Sequence, residues 1–299
     1  MASDYTMSMK SLRRVALEKL VARRPAAALR LSCEKLGIFG VHMRVPPGSP
    51  LFLSPGGETI ELPLDDVIAP FVLKHGHWQM EELDFLGAHL PPQRCVLIDV
   101  GANIGLITRQ LVQRLPGIAA AVCFEPQPLN FQMLSRNLAH LHQCYLVQAA
   151  IGESAGELRF YEESDNAGNY SLNLDAMRGK RYRTSVVQCL QASESQVLAP
   201  LPEAIRDYPL VWKSDTQGFD EVIVTALPDS FWRRVHCGVM EIWCIERPAF
   251  DRERLAQILA GFPIRRFGPE PHRNLEVEEI LRFSAATDFR HSDLFFARS

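Results

Sequence analysis

The segment from Asp99 to Gly105, Asp-Val-Gly-Ala-Asn-Ile-Gly, has the residue types of a ligand-binding turn. It follows an apolar run at residues 95–98 and precedes a stretch with helical spacing. Gly101 permits a tight strand-to-helix turn, and because it has no Cβ the backbone can approach a ligand closely. Asn103 and the amides at the start of the helix can donate to a carboxylate or a phosphate. A glycine turn alone is weak evidence, so its interpretation depends on the other polar strand ends.

The next predicted strand ends in an acidic residue, Glu125, within Val122-Cys-Phe-Glu-Pro126. A carboxylate at this position can accept two hydrogen bonds from a ribose 2′,3′-diol, each worth about 1.5–3 kcal/mol. Together with the glycine turn, Glu125 predicts an adenosine-containing ligand across the carboxyl edge of a sheet. The alternative is a surface carboxylate that ends a strand without a binding role.

Two enzyme classes place a glycine turn of this kind after their first strand. A dinucleotide-binding dehydrogenase has the pattern G-x-G-x-x-G, whereas this chain has Asn103 between Gly101 and Gly105. An acidic residue just before the glycines, here Asp99, is more typical of enzymes that bind S-adenosylmethionine (SAM), whose tail carries an ammonium and a carboxylate. We therefore predict SAM as the cofactor, with an NAD-dependent oxidoreductase as the alternative.

A third polar group follows another apolar strand, in Trp212-Lys-Ser-Asp-Thr-Gln-Gly218. Lys213 and Asp215 are two residues apart in a strand, so their side chains point to the same face and both can reach the ligand crevice. Our hypothesis is that Asp215 is a general base for a hydroxyl acceptor or orients it. The competing interpretations are that Asp215 only positions SAM, or that the two residues form a buried ion pair with no catalytic role.

Alternating strand and helix signals surround these motifs from residue 65 onward. Strands are predicted at 95–100, 120–124, 145–149, 210–214 and 238–242, helices at 79–90, 104–115, 129–141 and 252–261, and a closing hairpin at 264–267 and 293–297. This alternation calls for a mostly parallel sheet with right-handed crossovers and helices on both faces. We predict one domain over residues 65–299.

Residues 156–198 interrupt the alternation and are predicted to be an inserted region on the acceptor side. Short strands at 157–161 and 184–188 flank a polar stretch at 162–180 that is rich in Asn, Ser, Asp and Gly. Such a segment is either an acceptor-binding loop or a plain surface excursion.

Residues 1–64 are predicted to form an N-terminal helical extension and a linker. A basic amphipathic helix is expected at 9–36, divided near Pro25, and a loop or short hairpin at 46–57. The helix can contact an anionic membrane or an acidic partner, or its charged face is simply solvated.

The composition narrows the classes of function. The 299 residues include 32 Lys and Arg against 35 Asp and Glu, a net charge of −3, which argues against a general nucleic-acid binder. The seven cysteines form no C-x-x-C pair and are expected to be reduced thiols. No apolar run reaches the roughly 20 residues of a membrane span, and no secretory signal stands at the N-terminus. We expect a soluble, cytoplasmic protein without a metal, acting on a small or glycosidic acceptor, while the oligomeric state stays open.

Taken together, the motifs resemble the FkbM family of SAM-dependent methyltransferases. The matching segments are Asp99 to Gly105, Phe124-Glu-Pro126 with Asn137-Leu138, Ala149-Ala-Ile-Gly152, and Lys213 to Phe219. They occur in the family's order and spacing, from about Gly76 to the C-terminus. The resemblance implies an α/β, Rossmann-like class I methyltransferase fold, with a seven-stranded sheet whose last strand is antiparallel. It also implies SAM as cofactor and O-methylation of a sugar or natural-product hydroxyl.

The resemblance also implies roles for individual residues. Those implied to contact SAM are Glu81, Asp99, Gly101, Asn103, Gly105, Glu125, Gln148 and Ala149. Asn169 and Ser171 are implied to face the acceptor, and we expect His77, Lys213 and Gln217 to be further acceptor contacts. The segment Gly76-His77-Trp78 with Glu81 would cap the cofactor, Glu125 would hold the ribose, and Gln148 with Ala149 would meet the adenine.

Two positions depart from the family pattern. Many members have Lys-Ile-Asp-Val-Glu-Gly where this chain has Lys213-Ser-Asp-Thr-Gln-Gly218, so a carboxylate at Gln217 cannot be required here. The family's usual Leu-Asp after the insertion is replaced by Leu190-Gln191.

The third hypothesis is a non-catalytic protein. It would have a degenerate methyltransferase fold and would bind a partner through the basic N-terminal helix.

Overall fold

The computed structural model describes residues 40–44, 59–65, 67–246, 249–268 and 273–298. The strands are β1 (Gly40–Arg44), β2 (Thr59–Pro63), β3 (Cys95–Val100), β4 (Ile118–Phe124), β5 (Cys144–Val147), β6 (Ala150–Gly152), β7 (Gly156–Glu163), β8 (Tyr170–Ser171), β9 (Tyr182–Gln191), β10 (Leu210–Ser214), β11 (Val235–Trp243), β12 (Ile264–Phe267) and β13 (His291–Ala297). The helices are α1 (Ile68–His75), α2 (Met80–Ala88), α3 (Leu106–Arg114), α4 (Pro128–Asn137), α5 (Glu194–Leu198), α6 (Asp220–Ala226), α7 (Asp229–Arg234), α8 (Arg252–Ala260) and α9 (Val277–Ser284). Short 3-10 turns lie at Leu174–Met177 and Glu203–Ile205.

Seven strands form the central sheet, in the order β5-β4-β3-β10-β11-β13-β12. The first five are parallel neighbours, and β13 lies between β11 and β12 and runs antiparallel to both. The predicted α/β fold with a seven-stranded, mostly parallel sheet is thus confirmed. The strand order of dinucleotide-binding dehydrogenases is 3-2-1-4-5-6, which has no counterpart of the antiparallel β13 between β11 and β12.

Helices cover both faces of the sheet, as predicted, because strands such as β3 are buried at every position. One apolar core joins this sheet to α6 and α8 through residues including Val222, Ile223 and Leu255. The core on the opposite face joins it to α2 and α3 through residues including Leu83, Leu86 and Leu111. Burial of both faces leaves the carboxyl ends of the strands as the place where polar side chains can meet a ligand.

The prediction that the last two strands form a hairpin was wrong, because a helix connects them. β12 and β13 do pair, with Ile264 opposite Ala297, but α9 lies between them in the chain. Helix α9 was not predicted, nor were α1, α6 and α7, which have only six to eight residues each. Segments this short give too few turns for a clear 3.6-residue period.

The inserted region forms a second sheet of its own. β7, β8 and β9 join β6 in the order β6-β9-β7-β8, which agrees with the strands predicted near 157–161 and 184–188. The loop before β8 reaches back to the main sheet, where Asn103 Nδ2 donates to the Ala167 carbonyl at 3.1 Å. The insertion therefore closes over the carboxyl edge of the sheet.

The predicted N-terminal helix at 9–36 and the loop at 46–57 lie outside the described residues. β2 is attached to α4: the Glu61 amide donates to Asn137 Oδ1 at 2.7 Å, and Asn137 Nδ2 donates to the Glu61 carbonyl at 2.9 Å. The boundary at residue 65 stays a prediction, although residues 59–64 already pack on the domain. Among the described helices, none is both long enough and apolar enough for a membrane span.

Candidate active site

A cleft of about 310 Å³ opens where β3 and β10 lie side by side and the chain leaves them in opposite directions. Open α/β sheets bind ligands at such a switch point, and ligand clefts typically begin at about 300 Å³. Eight of the residues expected at the site line this cleft: Gly101, Asn103, Glu125, Ala149, Asn169, Lys213, Asp215 and Gln217.

The Gly101 turn is held between the ends of three strands. The amides of Gly101 and Ala102 donate to the Phe124 carbonyl at 3.0 and 2.9 Å, and the Asp215 amide donates to the Val100 carbonyl at 3.0 Å. Gly101 has φ 78°, and a Cβ there would lie 2.1 Å from the backbone oxygen of Asp215. Only glycine fits, since both the backbone angle and the contact exclude a side chain.

Lys213 supports this turn from below. Its Nζ donates to the Gly101 carbonyl at 2.9 Å and pairs with Asp99 Oδ1 at 3.0 Å, while the Thr108 hydroxyl donates to the other Asp99 oxygen. Burial alone would lower the pKa of Lys213, but the carboxylates of Asp99 and Asp215 outweigh it and hold that pKa above its ordinary value.

This arrangement differs from two expectations for β3 and β10. Asp99 is fully buried and does not line the cleft; Lys213 does line it, but its amine is bound to the Gly101 carbonyl and to Asp99. The reason is register: Lys213 lies directly opposite Asp99 on neighbouring parallel strands, so the nearest opposite charge is within the sheet. The alternative interpretation of a buried ion pair between Lys213 and Asp215 named the wrong partner, since Lys213 pairs with Asp99.

Glu125 lies at the cleft with both carboxylate oxygens already bound once. Oε2 accepts from the Asn103 amide and Oε1 from the Gln127 amide, each at 2.9 Å. The side chain is buried, and this burial raises the pKa of Glu125 to about 7. Each carboxylate oxygen has two acceptor sites, so both can still accept a hydrogen bond from a ligand.

Two asparagine side chains add polar acceptors to the cleft. Asn103 has φ 52°, which suits a short polar side chain in the left-handed region. Its Oδ1 is buried and makes no hydrogen bond with the described residues, and Asn169 Oδ1 is in the same situation. Buried polar atoms are rarely left unsatisfied, so both oxygens are candidates for contact with a bound donor.

Another part of the cleft contains three side chains joined by hydrogen bonds, with His291 beside the last of them. Gln217 Nε2 donates to Asp215 Oδ1 at 2.5 Å and to Glu241 Oε2 at 2.9 Å. The other oxygen of Glu241 lies 3.1 Å from His291 Nδ1. Gln217 thus holds two carboxylates together, and a glutamate at this position could not donate to either.

Sequence reasoning missed Glu241 and His291, together with Trp243, all of which line the cleft. The His291 ring stacks on Trp243, with centroids 4.6 Å apart and planes inclined by 14°. Glu241 gave one usable signal, since it is an acidic residue near the end of an apolar strand. His291 begins β13, where it pairs with Trp243 of β11, 48 residues earlier in the chain. No local pattern in the sequence therefore links His291 to the site.

Three expected cofactor residues lie away from the cleft surface. Glu81 lines a separate shallow depression with Phe85 and Arg266, and Gln148 is exposed. Gly105 has φ 83°, and a Cβ there would lie 2.7 Å from a methyl of Leu134, so it permits close packing of α4.

Two expected acceptor residues also make contacts within the protein. The His77 ring packs against Phe71 and His75, at centroid distances of 5.6 and 5.9 Å. The buried Ser171 hydroxyl donates to the Gln217 carbonyl at 2.7 Å. Ser171 therefore fixes the loop that carries Gln217, which is a positioning contact from the insertion.

Known proteins resemble this chain at low identity. No protein-family model matches it. The methyltransferase sdnD of Sordaria araneosa is 26% identical over 201 residues, which are 58% of this chain and 76% of that protein. The structure of methyltransferase FkbM from Methylobacillus flagellatus matches 96% of this chain and 60% of that one, with 12% identity and a TM-score of 0.41.

A structure that contains a bound cofactor product also matches. That of TrmK from M. capricolum, in complex with S-adenosylhomocysteine, covers 73% of this chain and 67% of that one, with 6% identity and a TM-score of 0.35. With TM-scores below 0.5, these structures do not identify the acceptor. By its strand order, its cleft at the switch point and its motifs, the chain has the class I fold of SAM-dependent methyltransferases and is similar to the FkbM methyltransferases.

Proposed function

We propose that the protein is a SAM-dependent O-methyltransferase that acts on a hydroxyl of a small-molecule, sugar or natural-product acceptor. The observation that carries this proposal is the cleft itself, which the Gly101 turn, Glu125, Asp215 and Gln217 all line. One half has the groups that an adenosyl and amino-acid ligand needs. The other half has groups that can orient a hydroxyl.

The residues present fit SAM. Gly101 lines the cleft, and the unsatisfied Oδ1 of Asn103 can accept from an ammonium group. Glu125 can accept from a ribose diol, and Ala149 leaves room for the adenine beside it. When bound, SAM supplies an electrophilic methyl carbon on a sulfonium.

The charge around the acceptor half favours an uncharged acceptor over RNA. Asp215, Glu241 and the half-buried Asp293 lie close enough to influence one another electrostatically. Phosphate backbones are bound by Lys and Arg, and carboxylates repel them. A hydroxylated neutral molecule suits this surface, and a cytoplasmic location with reduced thiols belongs to the same proposal.

The protein's main task is alignment. Holding an acceptor oxygen in line with the methyl carbon can lower the barrier by up to about 7–11 kcal/mol in well-oriented systems. Asp215 adjoins the Gly101 turn through its backbone and presents its carboxylate to the acceptor half, where Gln217 fixes it. We assign Asp215 to the acceptor hydroxyl, which it orients or deprotonates.

We expect Asp215→Asn to lower turnover by about 10²-fold or more, the usual range for losing a positioned acid or base. SAM affinity should stay within about threefold, because the Asp215 carboxylate is bound by Gln217 and is assigned to the acceptor, not to the cofactor. Calorimetry with SAM and initial rates with acceptor measure the two quantities. Full turnover with unchanged SAM affinity would show that Asp215 has no part in the reaction.

SAM affinity should fall as the pH drops through about 7. Burial raises the pKa of Glu125 to about 7, and ribose hydroxyls donate more strongly to its ionised form, so binding is strongest above that pH and weakens below it. Glu125→Gln should weaken SAM binding about tenfold or more at pH 8 and flatten its pH dependence. Titrations from pH 5.5 to 8.5 test this. An unchanged pH profile in the variant would assign the effect to another carboxyl group, such as Asp220, whose pKa burial also raises to about 7.

The function is tested by offering purified protein and SAM a panel of hydroxylated metabolites, glycosides and RNA oligonucleotides. Mass spectrometry should detect a +CH₂ product on a small acceptor, together with S-adenosylhomocysteine. A product on RNA alone would overturn the acceptor class. Tight binding of NAD without binding of SAM would overturn the enzyme class, and binding of neither would support a partner-binding module.

A further inference from the structure

We infer that His291, held in place by Glu241, is the group that takes the proton from the acceptor hydroxyl. The inference rests on the proposed function and assigns the general base within it. Asp215 then orients the hydroxyl and does not receive its proton.

The geometry of His291 carries this inference. Nδ1 lies 3.1 Å from Glu241 Oε1, and the ring stacks on Trp243 at 4.6 Å. These two contacts fix the plane and the rotation of the ring. At this distance the Glu241 carboxylate favours a proton on Nδ1, which leaves the other ring nitrogen, Nε2, as an acceptor.

Glu241 is positioned by Gln217. It is buried, and its second oxygen accepts from Gln217 Nε2 at 2.9 Å. Burial raises the pKa of Glu241, with Asp215 and Asp293 acting in the same direction. The hydrogen bond from Gln217 Nε2 acts in the opposite direction and favours the ionised form that orients the ring.

His291 is also accessible, as a base must be. Its side chain is 55% exposed and lines the cleft beside Asp215 and Gln217. The proton it takes can therefore pass on to solvent. Asp215, by contrast, accepts from Gln217 and lies at the deeper, Gly101 side of the acceptor half.

Burial holds the pKa of His291 below its ordinary value, so the ring is neutral near pH 7. Burial and the ammonium of Lys180 lower the pKa of His291, while Asp215 raises it, and the net direction is downward. Glu241 on β11 and Asp293 on β13 complete the charged groups around the ring. A histidine that is neutral at working pH is ready to accept a proton.

The step balances as a methyl transfer with one proton released. The acceptor oxygen gains the methyl group, S-adenosylhomocysteine is left, and the hydroxyl proton moves to Nε2 of His291. The imidazolium formed then pairs with the Glu241 carboxylate, which stabilises the new positive charge. In hydrolases with a catalytic triad, a carboxylate and a histidine take the proton of a serine hydroxyl in the same way.

A first test needs neither SAM nor an acceptor. Long-range ¹H–¹⁵N spectra of histidine-labelled protein, with His291 assigned through His291→Asn, report which ring nitrogen carries the proton. At pH 7.5 we expect a neutral ring with the proton on Nδ1, and a shift toward the Nε2–H form in Glu241→Gln. A proton on Nε2 in the wild-type protein, or a charged ring at pH 7.5, would rule out the assignment.

A second test measures rate and binding together on an acceptor found in the panel. His291→Asn should lower turnover about 10²- to 10⁴-fold, with SAM affinity and melting temperature close to wild type. Imidazole in solution should restore part of the rate of His291→Ala. The matched control is His142→Asn, at an exposed histidine outside the cleft, which should retain full activity.

The outcomes separate the two proposals. If wild-type protein methylates no acceptor and binds no SAM, the proposed function fails whatever the tautomer of His291. If wild-type protein methylates an acceptor and His291→Asn does so equally fast, only the assignment of the base fails.

Discussion

Replacing Lys213 by Met is expected to destabilise the protein by about 3–5 kcal/mol, because it leaves the Asp99 carboxylate buried without its cation. The side chains of Lys213 and Asp99 are 4% and 0% exposed, so water cannot take the place of the lost partner. The Gly101 carbonyl also loses its donor at 2.9 Å. Chemical denaturation followed by circular dichroism measures the loss, and SAM affinity should fall with it because the turn is no longer supported.

The double variant Asp99→Asn/Lys213→Met separates a buried-charge effect from a packing effect. It removes both charges and keeps an acceptor for the Thr108 hydroxyl, so it should recover much of the stability. Arg290→Met, which breaks the exposed pair with Asp288, should change the free energy of unfolding far less, since solvent screens that pair. Equal losses in the single and double variants would show that the ion pair itself is not what matters.

Gly101→Ala should abolish measurable SAM binding. A left-handed backbone costs an alanine about 1–2 kcal/mol, and the added methyl would also lie 2.1 Å from the Asp215 carbonyl oxygen. Backbone at the ends of β3 or β10 must move to relieve that contact. The movement would displace both the cofactor side of the cleft and the base of the Asp215 loop.

Gly268→Ala is the matched control, because Gly268 has φ 67° with no heavy atom within 4 Å of the added Cβ. It carries the same backbone strain without the clash and lies outside the cleft. We expect it to lower the melting temperature slightly and to bind SAM normally. If the two variants bound SAM equally well, close approach at Gly101 would not be required.

The order of the main strands and helices could be predicted because their signals are local. β3 has six buried positions, all of them apolar except Asp99. It precedes glycines that only a tight turn explains. Strand β10 is likewise buried along its whole length and is followed by a polar loop. The alternation between them then leaves few topologies open, since parallel crossovers are right-handed.

The site was predictable on its cofactor side and less so on its acceptor side. Gly101, Asn103 and Glu125 follow strands whose carboxyl ends meet at one edge, so their nearness follows from the topology. His291 and Glu241 come from strands whose antiparallel pairing brings together residues 50 apart in the chain. No spacing in the sequence encodes that pairing.

By itself, the sequence determined that an α/β sheet would present a glycine turn, an acid and a Lys-x-Asp segment at a common edge, because strand periodicity and turn chemistry are properties of neighbouring residues. Only the tertiary structure decided what each side chain does there. Lys213 turns to Asp99 because the register of β3 and β10 places them opposite each other, and Ser171 holds Gln217 because the insertion folds back over the loop. Partners of a charged or polar group are chosen by distance and burial in three dimensions, which residue types and spacing along the chain do not contain.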